Sequence, residues 1–298
     1  MKPLTGKIAV VTGATRGAGR GIACMLGEAG ATVYCTGRSS RSQPKPAGEG
    51  SPFELVYRPE TIEETAEMVT QFGGVGIPVQ ADHTIEEQVI KLFSQIETEQ
   101  GRMDILVNDI WGGDELAEWD KSFWEQSTEK GFQMIQRGLY THLLTNRHGV
   151  PLMVKQGSGL IIEVTDGDTF DYRGSFFYDL VKTSIIRIAR TMSEELSPKG
   201  ITALAVTPGF LRSEAMLEHF GVTEENWQDG AQKEPHFIAS ETPYFVGRAI
   251  AALAADPNVS KKSGGVFSSW GLSGEYEFVD IDGRSPHWGN YFKETFGN

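Results

Sequence analysis

The sequence is poor in features that mark several other classes of protein. It contains two cysteines, Cys24 and Cys35, which are too few for a disulfide framework and are expected to be reduced, buried thiols. No apolar run approaches the length of a membrane span, and no charged-then-apolar signal segment opens the chain. We therefore expect a cytoplasmic protein with no membrane-spanning segment.

Positive charge and metal-binding patterns are also scarce. The 27 Lys and Arg residues against 40 Asp and Glu residues give a net charge of −13 at pH 7, which argues against nucleic acid as a partner. The six histidines are scattered, and no Ser-His-Asp order or nucleophile elbow is present. The acidic residues at 166–171 lack the later glycine and glutamate of a calcium loop, so we expect no metal site.

What the chain does contain is a glycine-rich turn directly after its first apolar run. Residues 8–11 are typical of a strand, and residues 12–19 predict a tight turn that leads into a helix. Such a turn directs backbone N–H groups and the positive end of a helix dipole at a phosphate. The residues expected to hold a pyrophosphate are Gly13, Thr15, Arg16, Gly17, Ala18 and Gly19.

A second pattern lies beyond the middle of the chain. Tyr178 and Lys182 are spaced so that a helix places a phenol and an ammonium one turn apart on the same face. A neighbouring ammonium favours phenolate and lowers the pKa of a tyrosine, so we expect the pair to pass a proton near neutral pH. A dinucleotide pocket combined with such a tyrosine predicts hydride transfer coupled to proton transfer.

These motifs, together with Thr207-Pro208-Gly209, resemble the classical short-chain dehydrogenase/reductases over roughly residues 5–268. The resemblance implies a nicotinamide cofactor, Tyr178 as the acid/base and Lys182 as the residue that holds the nicotinamide ribose. It also implies a homodimer or homotetramer with the helix of Tyr178 at a subunit interface. The further cofactor-binding residues it implies are Asp82, Asn108, Pro208, Gly209 and Ser213.

Strand-like and helix-like segments alternate along the chain. This alternation predicts a single doubly wound α/β domain, a Rossmann fold over residues 1–298, with a seven-stranded parallel sheet and helices on both faces. The predicted strands cover residues 8–11, 32–36, 77–80, 105–107, 160–164, 202–206 and 265–268. The predicted helices cover residues 19–28, 62–72, 86–99, 132–155, 177–196 and 241–255. Three segments interrupt the alternation: an insert at 39–60, an expected substrate lid at 213–240 and a C-terminal extension at 269–298.

The end of the second strand favours NADP(H) as the cofactor. No acid stands there to bond a ribose hydroxyl, and Arg38 and Arg16 occupy two positions where NADP-preferring relatives keep a base. Arginine offers a planar fork of donors suited to a phosphate. Arg41 and Lys45 in the insert are further candidates for this cluster, and solvated surface arginines are the alternative interpretation.

The catalytic serine of the family has no direct counterpart here. The alignment of the fifth strand places Asp166 at the serine position, or Thr165 if the register shifts by one residue. A ketone that is being reduced gains negative charge on oxygen, so a donor should face it. We therefore hypothesise that Asp166 is a neutral donor or orients a water; the alternative is that it only caps a loop.

Two other positions depart from the family pattern. Trp111 stands where glycine is usual, and we expect it to face the nicotinamide side of the cleft or to fill part of it. Gly138 stands where the fourth catalytic residue, asparagine, is usual; glycine keeps the backbone carbonyl of that proton relay and favours a helix kink. These features resemble the subgroup of dehydrogenase/reductase SDR family member 1, whose members keep the serine.

The expected function is an NADP(H)-dependent oxidoreductase acting on a carbonyl/alcohol pair. Met216 and Phe220 at roughly helical spacing predict an apolar substrate pocket, with ordinary packing as the alternative, and Trp111 and Thr165 complete the expected substrate contacts. The aromatic residues of the C-terminal extension are expected to pack on the protein or to shape that pocket. One rival function is a catalytically weak NADP-binding sensor or scaffold, and a weaker one is a lyase or dehalogenase on the same fold.

Overall fold

The computed structural model describes residues 1–42 and 59–297, so most of the predicted insert, Lys45 included, lies outside the described residues. Seven strands of the described residues form one parallel sheet in the order β3-β2-β1-β4-β5-β6-β7, which confirms the predicted doubly wound fold. The strands are β1 Ile8–Thr12, β2 Thr32–Gly37, β3 Val75–Gln80, β4 Ile105–Asn108, β5 Gly159–Val164, β6 Ile201–Thr207 and β7 Val266–Ser268.

Helices cover both faces of the sheet. They are α1 Gly17–Glu28, α2 Ile62–Gln71, α3 Glu86–Gln100, α4 Thr128–Ile135, α5 Thr141–Gln156, α6 Phe176–Leu196, α7 Glu214–Phe220, α8 Pro243–Ala255, α9 Ser269–Tyr276 and α10 Trp288–Phe296. Short 3-10 turns lie at Asp114–Leu116, Ser197–Lys199, Trp227–Gln232, Pro235–Ala239 and Val259–Lys262. None of the helices among the described residues combines the length and hydrophobicity that a membrane crossing needs.

Two apolar cores lie on opposite faces of the sheet. Val11 of β1 packs into one core with α1 and α8, whereas its neighbour Val10 packs into the other with α3 and α5. Successive side chains of a strand point to opposite faces, so a sheet covered on both sides needs apolar residues at every position. This explains the unbroken apolar run of β1, in which each fully buried valine contributes about 1.5–3 kcal/mol.

The predicted helix at residues 132–155 is interrupted in the structure. It begins earlier, as α4, and a π-helical turn at Gln136–Tyr140 separates α4 from α5. Gly138 lies in the middle of this turn, as expected for a kink, and π turns of this kind commonly lie beside functional sites. The predicted helical region is therefore present with the expected irregularity at Gly138, although residue periodicity did not reveal that this irregularity is a π turn.

The helix predicted at residues 241–255 begins two residues later, as α8. Thr242 is its N-cap, because the Thr242 hydroxyl accepts a hydrogen bond from the Tyr244 N–H at 3.2 Å. Glu241, just before the cap, is buried beneath the turn that follows β6. The chain bends at Glu241, and this bend allows the Glu241 carboxyl to bond the turn after β6.

The fold collects the sequence motifs at one edge of the sheet. Parallel strands bring their carboxyl ends together, and ligands of such sheets bind outside these ends where the strand order reverses. In this sheet β1 lies between β2 and β4, so the reversal falls beside β1. The loops that follow β1, β4, β5 and β6 carry the glycine turn, Trp111, Asp166 and Pro208, respectively.

Candidate active site

The turn after β1 forms a cradle with three positions that require glycine. Gly13 has φ +73°, and a side chain there would overlap the backbone carbonyl of Asp109. A side chain on Gly19 would overlap the carbonyl of Gly13, and Gly17 has φ +57°. The Gly17 N–H donates to the Glu214 carboxylate at 2.8 Å, so this N–H group already binds an anionic oxygen. The cradle therefore suits the pyrophosphate of a dinucleotide.

Arginine side chains gather beside this cradle. Arg38, half-buried at the end of β2, has a pKa that burial and the nearby Arg137 and Arg16 charges lower to about 10, while Asp82 acts in the opposite direction. Arg16 precedes α1 and lies 3.9 Å from the carboxylate of Glu60. This concentration of positive charge suits a phosphate on the ribose of the cofactor. Thr15 and Ala18 are buried within the turn.

Arg41 does not join this cluster. Both of its terminal nitrogens bond the carboxylate of Glu67, at 2.5 and 2.8 Å, on the exposed surface. The expectation that Arg41 adds to the phosphate site is therefore not supported by its position.

Asp82 and Asn108 have their own partners in the described residues. Asp82 Oδ1 accepts hydrogen bonds from the N–H and the hydroxyl of Thr84, at 2.9 and 2.6 Å. Asn108 is fully buried, and its Nδ2 donates to Asn146 Oδ1 at 3.0 Å and to Glu163 Oε1 at 2.9 Å. We therefore expect Asn108 to support the site from beneath by joining β4 to β5 and α5.

A buried polar network under the site was missed by the sequence reasoning. Glu163 and His142 are both fully buried, and their side chains bond at 2.5 Å. The other ring nitrogen of His142 bonds the backbone carbonyl of Ile110 at 3.0 Å. This fixes the loop that carries Trp111. A buried carboxylate without a partner would be costly, and the glutamate inside an otherwise apolar strand was the available signal.

Tyr178 and Lys182, the pair that the sequence predicts as catalytic, lie close together, with the Lys182 ammonium 5.6 Å from the centre of the Tyr178 ring. The Tyr178 hydroxyl donates to Asp166 Oδ2 at 2.9 Å. The Thr165 side chain is buried, and its hydroxyl donates to the backbone carbonyl of Lys182 at 2.7 Å. Asp166, not Thr165, therefore faces Tyr178, and the predicted substrate contact of Thr165 is corrected to a bond that anchors β5 to α6.

The electrostatics of Tyr178 differ from the sequence prediction. Burial raises the pKa of Tyr178 well above its ordinary value, and the negative charge of Asp166 raises it further. The expected lowering of this pKa by Lys182 is wrong, because burial and then the hydrogen-bonded carboxylate of Asp166 both raise it. The phenol is therefore held in its protonated form, as a proton donor.

Lys182 lies in a buried position among carboxylates. Burial lowers its pKa, whereas the charges of Asp166, Asp114 and Asp109 act to raise it. Asp109 itself has a pKa that burial raises to about 7, which makes it a second titratable group of the cleft that sequence reasoning missed. The Lys182 ammonium lies 3.9 Å from the centre of the Trp111 ring.

Aromatic side chains enclose the Tyr178 ring. Trp111 contacts it edge-on with the ring centres 5.4 Å apart, and Trp119 contacts it at 5.0 Å. Trp119 is half-exposed and belongs to the long segment before α4, so it offers an apolar surface beside the phenol. Trp111, one of the predicted substrate residues, lies on the side of Tyr178 that faces Lys182.

The turn after β6 and the lid adjoin the glycine cradle. The Gly209 N–H, next to half-buried Pro208, donates to the buried carboxyl of Glu241 at 2.9 Å. Ser213 is the N-cap of α7. Phe220 is buried with Trp227 and Phe237, and half-buried Met216 packs against them. Phe220 therefore belongs to a small apolar core within the lid and does not line an open pocket. This agrees with the alternative interpretation of ordinary packing.

The aromatic residues of the C-terminal extension pack on the lid and on the turn after β6. The Trp288 and Phe210 rings lie 5.8 Å apart, and His236 bonds the Tyr291 hydroxyl at 3.1 Å. The extension therefore packs on its own chain.

Comparisons with known proteins agree with this geometry. The family model of enoyl-(acyl carrier protein) reductase matches residues 45–262. Mouse dehydrogenase/reductase SDR family member 1 is 36% identical over 95% of this chain and 85% of its own length. The 7alpha-hydroxysteroid dehydrogenase of Clostridium sardiniense is 29% identical over 220 residues, which cover 74% of this chain and 76% of its own length.

Among solved structures, a short-chain type dehydrogenase/reductase from Mycobacterium marinum has the same fold. It superposes with a TM-score of 0.68 at 23% identity, over 89% of this chain and 94% of that chain.

Proposed function

This chain belongs to the short-chain dehydrogenase/reductase family of oxidoreductases, and from that premise we propose that it is an NADP(H)-dependent enzyme interconverting a carbonyl and an alcohol. The observation that carries the proposal is the contact of Tyr178 with Asp166, at 2.9 Å, beside the buried ammonium of Lys182. A protein that only binds a nucleotide has no need of such a proton-transfer group.

Each residue of the proposed site has a distinct task. In the reducing direction Tyr178 gives its proton to the carbonyl oxygen, and Asp166, which accepts a hydrogen bond from the phenol, orients it. The phenolate that remains regains a proton from solvent. Lys182 holds the ribose next to the nicotinamide, and its positive charge stabilises negative charge that develops on the phenol oxygen. The bound nicotinamide supplies the hydride.

The preference for NADP(H) over NAD(H) is supported by the arginine cluster. Arg38 and Arg16 lie on the side of the glycine cradle where strand β2 ends, with Asp82 as a neighbouring acid. A phosphate on the adenosine ribose would gain bidentate, charge-assisted hydrogen bonds from such side chains. We assign Gly13, Gly17 and Gly19 to the pyrophosphate, with Pro208, Gly209 and Ser213 beside the nicotinamide.

We propose a small, apolar carbonyl or alcohol as the substrate and a homodimer or homotetramer in the cytoplasm as the working form. Trp119 supports an apolar substrate, since it is half-exposed beside the Tyr178 ring. Large apolar side chains exposed on α4, α5 and α6 support self-association; they are Phe132, Leu143, Phe176 and Leu180.

The test is NADPH and NADH consumption by the purified protein over a panel of ketones, aldehydes and quinones. We expect turnover with NADPH that Tyr178→Phe abolishes. Tyr276→Phe is the matched control, because Tyr276 also donates to a carboxylate, that of Asp256, at 2.7 Å, but lies outside the cleft. Arg38→Ala should weaken NADPH binding more than NADH binding, whereas Arg41→Ala should change neither.

Tight NADPH binding without turnover of any substrate would favour the cofactor-binding sensor instead. Equal loss of activity in Tyr178→Phe and Tyr276→Phe would contradict the role given to Tyr178.

A further inference from the structure

The two unusual residues Trp111 and Gly138 are in contact in the folded protein. A Cβ atom on Gly138 would lie 2.6 Å from Cζ3 and 2.8 Å from Cε3 of the Trp111 ring, and 3.0 Å from Cγ1 of Val181. Side chains do not approach a Cβ atom so closely without moving. The indole therefore occupies the volume that an asparagine side chain at position 138 would need, and the two departures have a single packing explanation.

The position of the indole is fixed on several sides. Its Nε1 donates to Asp114 Oδ1 at 2.7 Å, and its edge meets the Tyr178 ring. The Lys182 ammonium lies over the face of the indole, 3.9 Å from the ring centre. An ammonium over an aromatic face is attracted by the negative charge of the π system, most strongly where water is excluded.

We propose that Trp111 is the positioning residue of Lys182: its indole fills the space left by Gly138 and holds the ammonium against its face, beside Tyr178. The catalytic part of this inference rests on the proposed function, but the contact can be tested without any substrate. The charged groups that also face Lys182 are Asp166, Asp114, Asp109 and Arg173. Substitutions of Trp111 leave Asp166, Asp109 and Arg173 in place but remove the indole hydrogen bond of Asp114. Trp111→Phe and Trp111→Leu both lose this bond, so the difference between these two variants reports the aromatic face alone.

The first test measures the pKa of Lys182 in cofactor-free protein by NMR of ¹³C-labelled lysine, with Lys182→Arg to assign the signal. Trp111→Leu removes the aromatic face, so we expect the pKa of Lys182 to fall by about one unit. Trp111→Phe keeps a smaller aromatic face and should recover about half of that shift. Trp111→Met replaces Trp111→Leu if the latter does not fold. An unchanged pKa in the apolar variant would overturn the proposal.

The second test determines whether the side chains at positions 111 and 138 compete for the same volume. Gly138→Asn should lower the Tm in the wild-type background, because the new side chain collides with the indole. In the Trp111→Gly background the same substitution should raise the Tm, because the space is then empty. Equal changes in both backgrounds would show no coupling and would overturn this part of the proposal.

Turnover by the same variants separates this inference from the proposed function. If the wild-type enzyme reduces a substrate, Trp111→Leu should lower kcat more than it changes KM, and Trp111→Phe should restore part of the kcat. If no substrate is reduced, the proposed function fails, while the pKa and Tm measurements still decide whether Trp111 positions Lys182.

Discussion

At the scale of single residues, the most consequential contact is the one between Tyr178 and Asp166. A serine hydroxyl at this position would donate to a substrate oxygen, whereas the carboxylate of Asp166 accepts a hydrogen bond from the phenol. The raised pKa of Tyr178 follows from burial and from this charge. The aspartate therefore changes the proton chemistry of the site rather than merely replacing one polar side chain with another.

Asp166→Asn should lower kcat by about 10- to 100-fold, because the neutral amide accepts a weaker hydrogen bond from Tyr178 and orients the phenol less firmly. It should also move the alkaline limb of the pH profile to lower pH, because loss of the negative charge makes the phenolate easier to form. The measurement is kcat against pH. Asp168→Asn, which neutralises an exposed carboxylate two residues away, is the control and should leave the profile unchanged. Full activity with an unaltered profile in Asp166→Asn would refute the role given to the Asp166 carboxylate.

Glu241 is a second residue whose protonation has a measurable consequence. Burial raises its pKa to about 8, although hydrogen bonds from Ser269 and Gly209 act to lower it. A native-state pKa above the unfolded value contributes stability that is fully present below about pH 4.5 and is lost as the pH rises through about 8. The buried glutamate should therefore weaken the fold in alkaline solution.

Glu241→Gln should remove this pH dependence, because the neutral amide oxygen accepts the same two hydrogen bonds. We expect the Tm of the variant to rise relative to wild type by several degrees between about pH 5 and about pH 9. Differential scanning calorimetry across this range measures it. The control is Glu275→Gln, which removes an exposed partner of Lys262. A Tm difference that is constant with pH would contradict the assigned titration.

At the scale of elements, α7 reaches the start of α1 through one carboxylate. The Gly17 N–H donates to Glu214 Oε2 at 2.8 Å, and Arg20 lies 3.5 Å from the other oxygen of Glu214. A pyrophosphate in the glycine cradle would compete for the same N–H group and the same helix dipole. The lid and the cofactor should therefore compete at this position.

Glu214→Gln should tighten NADPH binding about two- to five-fold, since the competing negative charge contributes about 0.3–1 kcal/mol at a helix N-terminus. The measurement is the Kd from NADPH fluorescence at fixed ionic strength. Glu218→Gln is the control, because it makes the same charge change on the exposed side of the same helix. An equal gain in affinity in both variants would indicate only a general effect of net charge.

The order of strands and helices followed from the sequence because it depends on periodicity and turn residues. The apolar run of β1 and the glycines after it are local signals, and their elements were found within a few residues of the predicted limits. The glycine at position 138 indicated a kink, but periodicity did not distinguish a π turn from an α-helical turn. The contact of the Trp111 ring with this turn joins distant parts of the chain and was not predictable either.

The site residues that belong to a sequence motif could be predicted. The contacts between segments that are distant in the chain could not. Tyr178 and Lys182 share a helix, so their spacing was informative. Glu214 contacts Gly17, and Trp111 approaches Lys182, but the two residues of each contact belong to different segments of the chain. No local sequence pattern predicts either contact. The pKa of Tyr178 was misjudged for the same reason, since its bonded carboxylate comes from the loop after β5.

At the scale of the whole molecule, the C-terminal extension connects the lid to the turn over the proposed nicotinamide site. Arg212 is almost completely buried, and it bonds Asp282 of the extension at 2.9 Å. The Trp227 ring of the lid contacts two guanidinium groups, with its centre 4.2 Å from that of Arg212 and 4.4 Å from that of Arg284. Trp288 completes the connection by packing against Phe210.

Deletion of residues 277–298 should therefore loosen the lid more than the sheet. Arg212 would lose its carboxylate from the extension, and a buried charge that loses one partner is destabilising. We expect faster hydrogen exchange across residues 210–240, a lower Tm and a higher KM, with little change in exchange of the β1 and β5 amides. Deletion of residues 297–298 alone is the control, because it leaves every contact described above in place. The measurement is hydrogen exchange by mass spectrometry on both shortened proteins. If exchange became faster uniformly over the whole chain, or not at all in the lid, the extension would not restrain the lid.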